Sequence, residues 1–349
     1  MHDPRADDPP LLVVTMGSAA TLVVLVLTSF SGLLVALAAV PAALVFALTS
    51  WVGNANPPPL SSRLWAFIIG ASVTVPVSLA LSFAAEPWLE MTGISAYAAA
   101  GIIEEAVKGG ALWWLARRWT TFDSPLSGLV YALLVAGGFA FTENILYFSQ
   151  TADVDGLLTT FAVRGLVLPF AHPLFTAGIG LALGLVAGRR KYGQVSAASM
   201  LMLASAYSLG AVGHGLWNLF SFFDSYWYLP AYLSGVIVLL SVARRLHTRQ
   251  ANAFNTAIEA AGDQLDSLDR SILTDASARR SLRSQLERDQ VQALAVWRRL
   301  WASTAAGANV DEVSRAAQEW RELWRPTPVA DALSTDLPNA DPVEESKED

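Results

Sequence analysis

The chain has 349 residues, of which 53% are hydrophobic and 15% are charged, and its formal net charge is -7. Soluble domains usually carry about 25% charged residues, so the composition excludes a single soluble domain and predicts an all-α polytopic membrane protein with a soluble helical tail. Cysteine is absent, which excludes disulfides, a thiolate nucleophile and a cysteine metal site.

The first 242 residues predict about eight membrane-spanning helices, since one span needs about 20 mainly apolar residues. Residues 1–10 are predicted to be disordered, and the apolar run that follows is too long for a cleavable signal peptide. That run, Leu11–Ser50, is split into two spans at Thr28–Gly32. The other predicted spans are Leu64–Ala85, Ile94–Ala116, Leu126–Phe148, Arg164–Ala187, Ala197–Phe220 and Trp227–Val242.

The basic loop residues predict the orientation of these spans in the cell membrane. Eight spans with both termini in the cytoplasm place nearly all of them on the cytoplasmic side: Arg5, Arg63, Arg117, Arg118, Arg189, Arg190, Lys191, Arg244, Arg245 and Arg249. The opposite loops carry acidic residues, and only Arg164 breaks the pattern.

The remainder of the chain predicts a cytoplasmic region of amphipathic helices, residues 243–324, and a disordered acidic tail, residues 325–349. Trp297, Trp301, Trp320 and Trp324 stand beside arginines. Tryptophan with arginine is typical of helices at a membrane surface, but the same residues could pack two tail helices together. Both interpretations stay open. No nucleic-acid partner is expected, because the net charge is negative.

Ionisable residues inside the spans are the main functional signal, because each costs about 2.5–3.5 kcal/mol at membrane depth on insertion scales. At about 1.5 Å per residue, those of four separate spans fall in the outer half of the membrane. This common depth predicts one shared site. Its candidate residues are Glu104, Glu105 and Lys108 in the fourth span, Glu143 and Asn144 in the fifth, His172 in the sixth, and His214 and Asn218 in the seventh.

The spacing of these residues indicates hydrolytic chemistry. Glu104 and Lys108 are four residues apart and share a helix face, so the lysine can neutralise one glutamate and leave the other as a base or ligand. His214 and Asn218 share a face in the same way and can donate hydrogen bonds to a developing oxyanion. Two histidines with a glutamate could instead hold zinc and a water molecule.

Other interpretations of the same residues remain open at this point. Buried acids and histidines also occur in structural ion-pair networks and in proton-coupled transporters, although no matched inverted repeat is recognisable. Glu143 and Asn144 could lie merely at the membrane interface, and a scaffold or receptor could signal through the tail. The signatures of serine, presenilin-like aspartyl and His-Glu-x-x-His zinc proteases are absent from the predicted spans.

Four motifs, in order and on separate spans, resemble the PrsW family of intramembrane proteases, within the clan of CAAX prenyl endopeptidases and bacteriocin-processing proteins. The resemblance covers about residues 94–220. The motifs are Glu104-Glu-Ala-Val-Lys108, Phe139-Ala-Phe-Thr-Glu143-Asn144, His172-Pro-Leu-Phe-Thr176 and His214-Gly-Leu-Trp-Asn218.

The resemblance implies an endopeptidase that cleaves membrane-spanning protein substrates in the bilayer near its non-cytoplasmic face, such as an anti-sigma factor in stress signalling. It implies Glu104 as the water-activating base. A zinc-dependent and a metal-free glutamate mechanism both remain possible, and the oligomeric state is not predicted. The implied catalytic residues are Glu104, Glu105, His214 and Asn218, with Lys108 and Asn144 in support and Glu143, His172 and His214 as ligands of any metal.

Overall fold

The computed structural model describes residues 32–52, 58–119, 121–191, 196–222 and 228–261. The chain divides into two compact units, Met1–Thr248 and Arg249–Asp349. The predicted first span and most of the predicted tail, including its tryptophans and the acidic end, lie outside the described residues.

Every element in the described part of the chain is a helix. A π-helical turn, Gly70–Thr74, joins α2 to α3, and a π-helical segment, Ala162–Val167, follows α6. The helices are α1 Gly32–Val52, α2 Leu60–Ile69, α3 Val75–Thr92, α4 Ala96–Arg118, α5 Pro125–Ser149, α6 Val154–Phe161, α7 Ala171–Lys191, α8 Ala197–Phe222 and α9 Tyr228–Ala261.

Five helical stretches among the described residues are long and apolar enough to cross a membrane: Gly32–Val52, Leu60–Thr92, Pro125–Ser149, Val154–Ala187 and Tyr228–Asn252. Helices α4 and α8 are 23 and 26 residues long but do not belong to these five apolar stretches. The middle of α4 is charged, and α8 is rich in small and polar residues. The described part of the chain is therefore all-helical and the chain is a multi-pass membrane protein, while the eight spans and their orientation stay predictions.

Helix α5 lies at the centre of the first unit. The most apolar 18-residue stretch of α5 is 78% buried, compared with 22% for that of α1 and 17% for that of α9. It begins at a capping box, in which the Ser124 side chain accepts a hydrogen bond from the Ser127 N–H, and Pro125 occupies its first turn. The site residues that α5 carries near its other end are consequently held by a helix that is packed on several sides.

Glycines allow the closest helix crossings. A Cβ on Gly128 of α5 would meet the carbonyl group of Gly180 in α7, and a Cβ on Gly101 of α4 would meet the backbone of Gly215 in α8. Small residues let membrane helices approach at backbone distance. The Gly101–Gly215 crossing is adjacent in sequence to His214 and lies one turn from Glu104 and Glu105, so it sets the spacing of the site.

The helix boundaries differ from the predicted spans in three places. The predicted span Leu64–Ala85 is part of a longer rod, Leu60–Thr92, with a π-helical turn whose Ala71 carbonyl accepts a hydrogen bond from Thr142 at 2.8 Å. Helix α9 continues past the predicted end at Val242 to Ala261. The predicted span Arg164–Ala187 is interrupted, because the chain leaves helical geometry between Val167 and Ala171.

Candidate functional site

Four helices bring the predicted site residues together. Helix α4 contributes Glu104, Glu105 and Lys108, α5 contributes Glu143 and Asn144, α7 contributes His172, and α8 contributes His214 and Asn218. Ion-pair or hydrogen-bond distances connect the acids, the lysine and both histidines in one continuous network.

Glu105 is fully buried, and both of its carboxylate oxygens accept hydrogen bonds. Its Oε1 lies 2.5 Å from Nζ of Lys108 and 3.0 Å from Nδ1 of His214, and its Oε2 accepts a hydrogen bond from the Thr176 hydroxyl at 2.8 Å. A buried carboxylate is tolerated when it is paired and hydrogen-bonded. Three donors from three helices therefore make Glu105 a structural anchor of the site.

Glu104 has a different environment from its neighbour. Its side chain is 14% exposed, and its Oε2 is buried without a hydrogen-bond partner among the described residues. The same oxygen lies 3.7 Å from Nε2 of His214, 4.0 Å from Nδ1 of His172 and 3.8 Å from Nζ of Lys108. Buried unpaired polar atoms are costly, so this oxygen marks the place where a ligand or a water molecule would bind.

Hydrogen bonding assigns opposite tautomers to the two histidines. Nδ1 of His214 faces the Glu105 carboxylate, which only accepts hydrogen bonds, so Nδ1 carries the proton. Nε2 of His172 lies 2.7 Å from the Glu143 carboxylate, while its Nδ1 lies 3.3 Å from Nζ of Lys108, which only donates. The proton of His172 is therefore on Nε2. In the neutral form of each ring, the unprotonated nitrogen is the one that faces Glu104 Oε2.

Glu143 is held by a residue that the sequence interpretation treated as a loop charge. Arg164, in the π-helical segment before α7, forms a close ion pair from Nη2 to Oε2 of Glu143. Its Nε donates to Oδ1 of Asn144 at 2.8 Å, and its guanidinium lies 3.8 Å from the centre of the Tyr147 ring. The guanidinium thus binds two adjacent side chains of α5 and packs against a third.

Aromatic rings enclose the network. The ring of Phe175 stacks on His214 with a centroid distance of 4.8 Å and an interplanar angle of 12°. Phe139 lies 5.2 Å from the His172 ring, and Nζ of Lys108 lies 4.4 Å from the centre of the same phenyl ring. These contacts limit how far the histidines and the lysine can rotate.

A cavity of about 50 Å³ opens beside the network, and its walls include Glu143, Arg164, His172, His214 and Asn218. A water molecule needs roughly 10–15 Å³ of such volume, so the cavity has room for water but not for a peptide segment. Asn218 is half-buried at its edge, and its Nδ2 donates to the Tyr97 carbonyl at 3.3 Å. Asn218 therefore reaches the cavity without joining the network of acids and histidines.

The described residues contain one group with the spacing of a metal site, Glu104, His172 and His214, whose ligand atoms all lie within 4.8 Å of one another. The predicted set had Glu143 in place of Glu104. Glu143 contacts Arg164 and Nε2 of His172. Glu104 instead faces Nδ1 of His172 and Nε2 of His214. Zinc ligands at about 2.0–2.2 Å from the ion lie roughly 3.3–3.6 Å apart, slightly closer than the separations seen here.

These residues fit a metal ion on chemical grounds. The oxygen without a hydrogen-bond partner belongs to a carboxyl group, and the two nitrogens facing it are free to act as ligands when the rings are neutral. The other nitrogen of each ring is bonded to a carboxylate, Glu105 or Glu143, which is the usual arrangement behind metal-binding histidines.

Sequence reasoning gave no role to two residues of the network. Thr176 stands in one of the quoted motifs, and its spacing of four residues from His172 could have indicated a shared helix face. Arg164 was noticed only as the exception to the distribution of basic loop residues. The available signal was an arginine on the predicted non-cytoplasmic side, next to a span with an internal histidine.

Comparison with known proteins agrees with the predicted resemblance. A family model described as PrsW family intramembrane metalloprotease matches residues 58–243. A protein named Protease PrsW from Geobacillus kaustophilus (strain HTA426) is 32% identical over 127 residues, which are 36% of this chain and 54% of that protein. The chain thus spans about half the length of this curated relative, and no solved structure gives a significant match. Because the family model covers more than half of the chain and includes all four motifs, the chain belongs to the PrsW family of intramembrane metalloproteases.

Proposed function

We propose that the chain is an intramembrane endopeptidase that hydrolyses a peptide bond of a membrane-anchored protein. The observation that carries the proposal is Glu104 Oε2, which accepts no hydrogen bond from the described residues and faces Nδ1 of His172 and Nε2 of His214, two histidines that line a cavity with room for water. A general base or a metal ligand needs a free lone pair within reach of a water molecule. Glu105 and Glu143 are both engaged in ion pairs, whereas Oε2 of Glu104 accepts no hydrogen bond from the described residues.

The donor set favours a zinc-type ion held by Glu104, His172 and His214, as in catalytic zinc sites with two histidines and one carboxylate. When bound, such an ion supplies Lewis acidity for the activation of water and the polarisation of a carbonyl group. Glu105 and Glu143 hold the two histidines in the tautomers described above. Lys108 pairs with Glu105, which leaves the carboxyl group of Glu104 for the reaction.

Asn218 is the proposed donor to the oxyanion of the tetrahedral intermediate. Its amide lies at the cavity edge, one helical turn from His214, and one of its two N–H groups is used by Tyr97. The second N–H can point to a carbonyl oxygen that enters the cavity. Preorganised donors of this kind stabilise the developing charge in acyl transfer.

The proposed substrate is a single-span membrane protein, of which an anti-sigma factor is the class that the resemblance suggests. The predicted orientation places cleavage near the non-cytoplasmic face, because the cavity lies at the ends of α5 and α8 that should meet that face. A substrate segment has to lose helical structure locally to bring a peptide group to Glu104, since the cavity has no room for a whole helix.

The test compares Glu104→Gln with the matched substitution Glu86→Gln, which changes an exposed glutamate of α3. Purified proteins in lipid nanodiscs are incubated with a panel of single-span proteins labelled on their extracytoplasmic side, and products are located by mass spectrometry. We expect wild-type protein and Glu86→Gln to cleave at the same bond and Glu104→Gln to be inactive. Cleavage by Glu104→Gln at the wild-type rate would overturn the assignment.

A further inference from the structure

Arg164 occupies an unusual position for a cation in this protein. It is half-buried at the wall of the cavity, with 24% of its side chain exposed. Its neighbours along the chain belong to a π-helical segment, and such segments frequently occur at functional sites. The wider turn, followed by the break before α7, places Arg164 beside the end of α5 and close to His172.

The contacts of Arg164 use the fork shape of a guanidinium. Nη2 pairs with Glu143, Nε donates to Asn144, and the flat face of the group lies over Tyr147. A lysine could provide the charge but could not reach both side chains with fixed geometry. The structure therefore uses an arginine to hold two consecutive residues of α5 at once.

The contact with Glu143 extends to the histidine. Oε2 of Glu143 accepts from Arg164 and also from Nε2 of His172. Four groups face the His172 ring or its nitrogens: Glu143 from α5, Lys108 and Glu104 from α4, and the ring of His214 from α8 at a centroid distance of 5.0 Å. Of these groups, only Glu143 lies where it can accept a hydrogen bond from Nε2 of His172.

We propose that Arg164 is a positioning residue that holds the Glu143 carboxylate against Nε2 of His172, and thereby keeps the His172 proton on Nε2 and Nδ1 of that ring turned toward Glu104. The role in catalysis rests on the proposed function, whereas the tautomer itself does not. Without the arginine, His172 is the one side-chain partner left to Oε2 of Glu143 among the described residues, and rotation of Glu143 removes the acceptor from Nε2.

The first measurement is the histidine tautomer, read by magic-angle-spinning ¹⁵N NMR of histidine-labelled protein in lipid bilayers without substrate or added metal. The chain contains 4 histidines, so single His→Gln variants suffice for assignment. We expect wild-type His172 to be neutral with the proton on Nε2, and His214 to be neutral with the proton on Nδ1. A wild-type His172 protonated on Nδ1 would overturn the proposal even if every Arg164 variant failed to fold.

The variants are Arg164→Gln, Arg164→Lys and the control Arg117→Gln. Arg117 packs on Trp113 in the last turn of α4 and has no contact with the site. We expect Arg164→Gln to change the His172 signals to a mixture of tautomers and Arg164→Lys to restore them in part, whereas Arg117→Gln leaves them unchanged. His172 signals identical to wild type in a folded Arg164→Gln protein would overturn the proposal.

A double-mutant comparison separates positioning from direct contact with substrate. Outer residues behind metal-binding histidines typically contribute about 10–100-fold to metal affinity or activity, so Arg164→Gln should lower kcat in that range with little change in KM. In a Glu143→Gln background it should change kcat by no more than about twofold, since both residues act through one contact. Additive losses, or a loss confined to KM, would contradict the proposal. An inactive wild type with the expected tautomers would reject the peptidase function only.

Discussion

Nζ of Lys108 lies 2.5 Å from Oε1 of Glu105 and 3.8 Å from Oε2 of Glu104. The lysine therefore pairs closely with only one of two adjacent glutamates of the same helix. Lys108 and Glu105 are both fully buried. Loss of one partner of a buried pair leaves an uncompensated charge, which costs about 3–5 kcal/mol. The free Oε2 of Glu104 has no comparable bond to lose.

This inequality predicts opposite effects on stability. Glu105→Gln should lower the thermal unfolding midpoint strongly or prevent the protein from accumulating, since Lys108 and His214 both lose their acceptor. Glu104→Gln should unfold at the wild-type temperature or above it, because it removes a carboxyl group whose buried Oε2 has no hydrogen bond to lose among the described residues. Unfolding in detergent, followed by intrinsic tryptophan fluorescence, measures both. A Glu104→Gln protein less stable than Glu105→Gln would contradict the assigned pairing.

The sequence predicted that the acids, the lysine and the histidines of four spans lie close together, but it did not predict all of their pairings. Intramembrane acids and histidines stand out because few structural roles justify their cost, and their common depth follows from counting residues along straight helices. The partner of Lys108 did not follow from this, because spacings of three and four residues both place side chains on one helix face. Lys108 pairs with Glu105 rather than with Glu104 because His214 and Thr176 also approach Glu105, from α8 and α7. This preference is an effect of tertiary structure.

The position of Arg164 could not be derived in the same way. A continuous span from Arg164 to Ala187 would put the arginine at its outer end, away from the site. The π-helical segment and the break before Ala171 shift it alongside Glu143. Such irregular backbone has no clear signal in one sequence, and the glycine crossings that set the helix spacing likewise show only as a richness in small residues.

The crossing of α4 and α8 gives a second prediction. A Cβ on Gly101 overlaps the backbone of Gly215, whereas a Cβ on Gly110, in the same helix, meets nothing within 4 Å. Alanine improves helix propensity by about 1 kcal/mol relative to glycine at both positions. We expect Gly110→Ala to be neutral or stabilising and Gly101→Ala to separate the helices and lower activity at least tenfold. Equal activity of the two variants would show that the crossing does not control the site.

Metal dependence is tested by removal and replacement. If Glu104, His172 and His214 hold the ion, a membrane-permeant chelator should abolish cleavage and added Zn²⁺ should restore it. Elemental analysis of purified protein should find about one zinc per chain in the wild type, and much less in His214→Gln. Full activity with no bound metal would instead assign Glu104 as a base that acts on water directly.

The proposed oxyanion donor gives a kinetic prediction. Asn218→Ala should lower kcat about 10²–10³-fold, as the loss of one oxyanion donor does in other acyl-transfer enzymes, while leaving KM almost unchanged. The side chain is half-buried and its amide makes one hydrogen bond within the described part of the chain, so the unfolding midpoint should shift little. Asn218→Asp should not rescue the rate, because a carboxylate cannot donate.

The orientation of the helices is testable with single cysteines, because the natural chain contains none and gives no background. The distribution of basic residues predicts that Asp155, in the first turn of α6, lies outside the cell and that Ser196, before α8, lies in the cytoplasm. Both side chains are exposed. We expect a membrane-impermeant maleimide to label Asp155→Cys in intact cells and Ser196→Cys only after permeabilisation. The reverse pattern would invert the topology and place the cavity, and therefore any cleavage, near the cytoplasmic face.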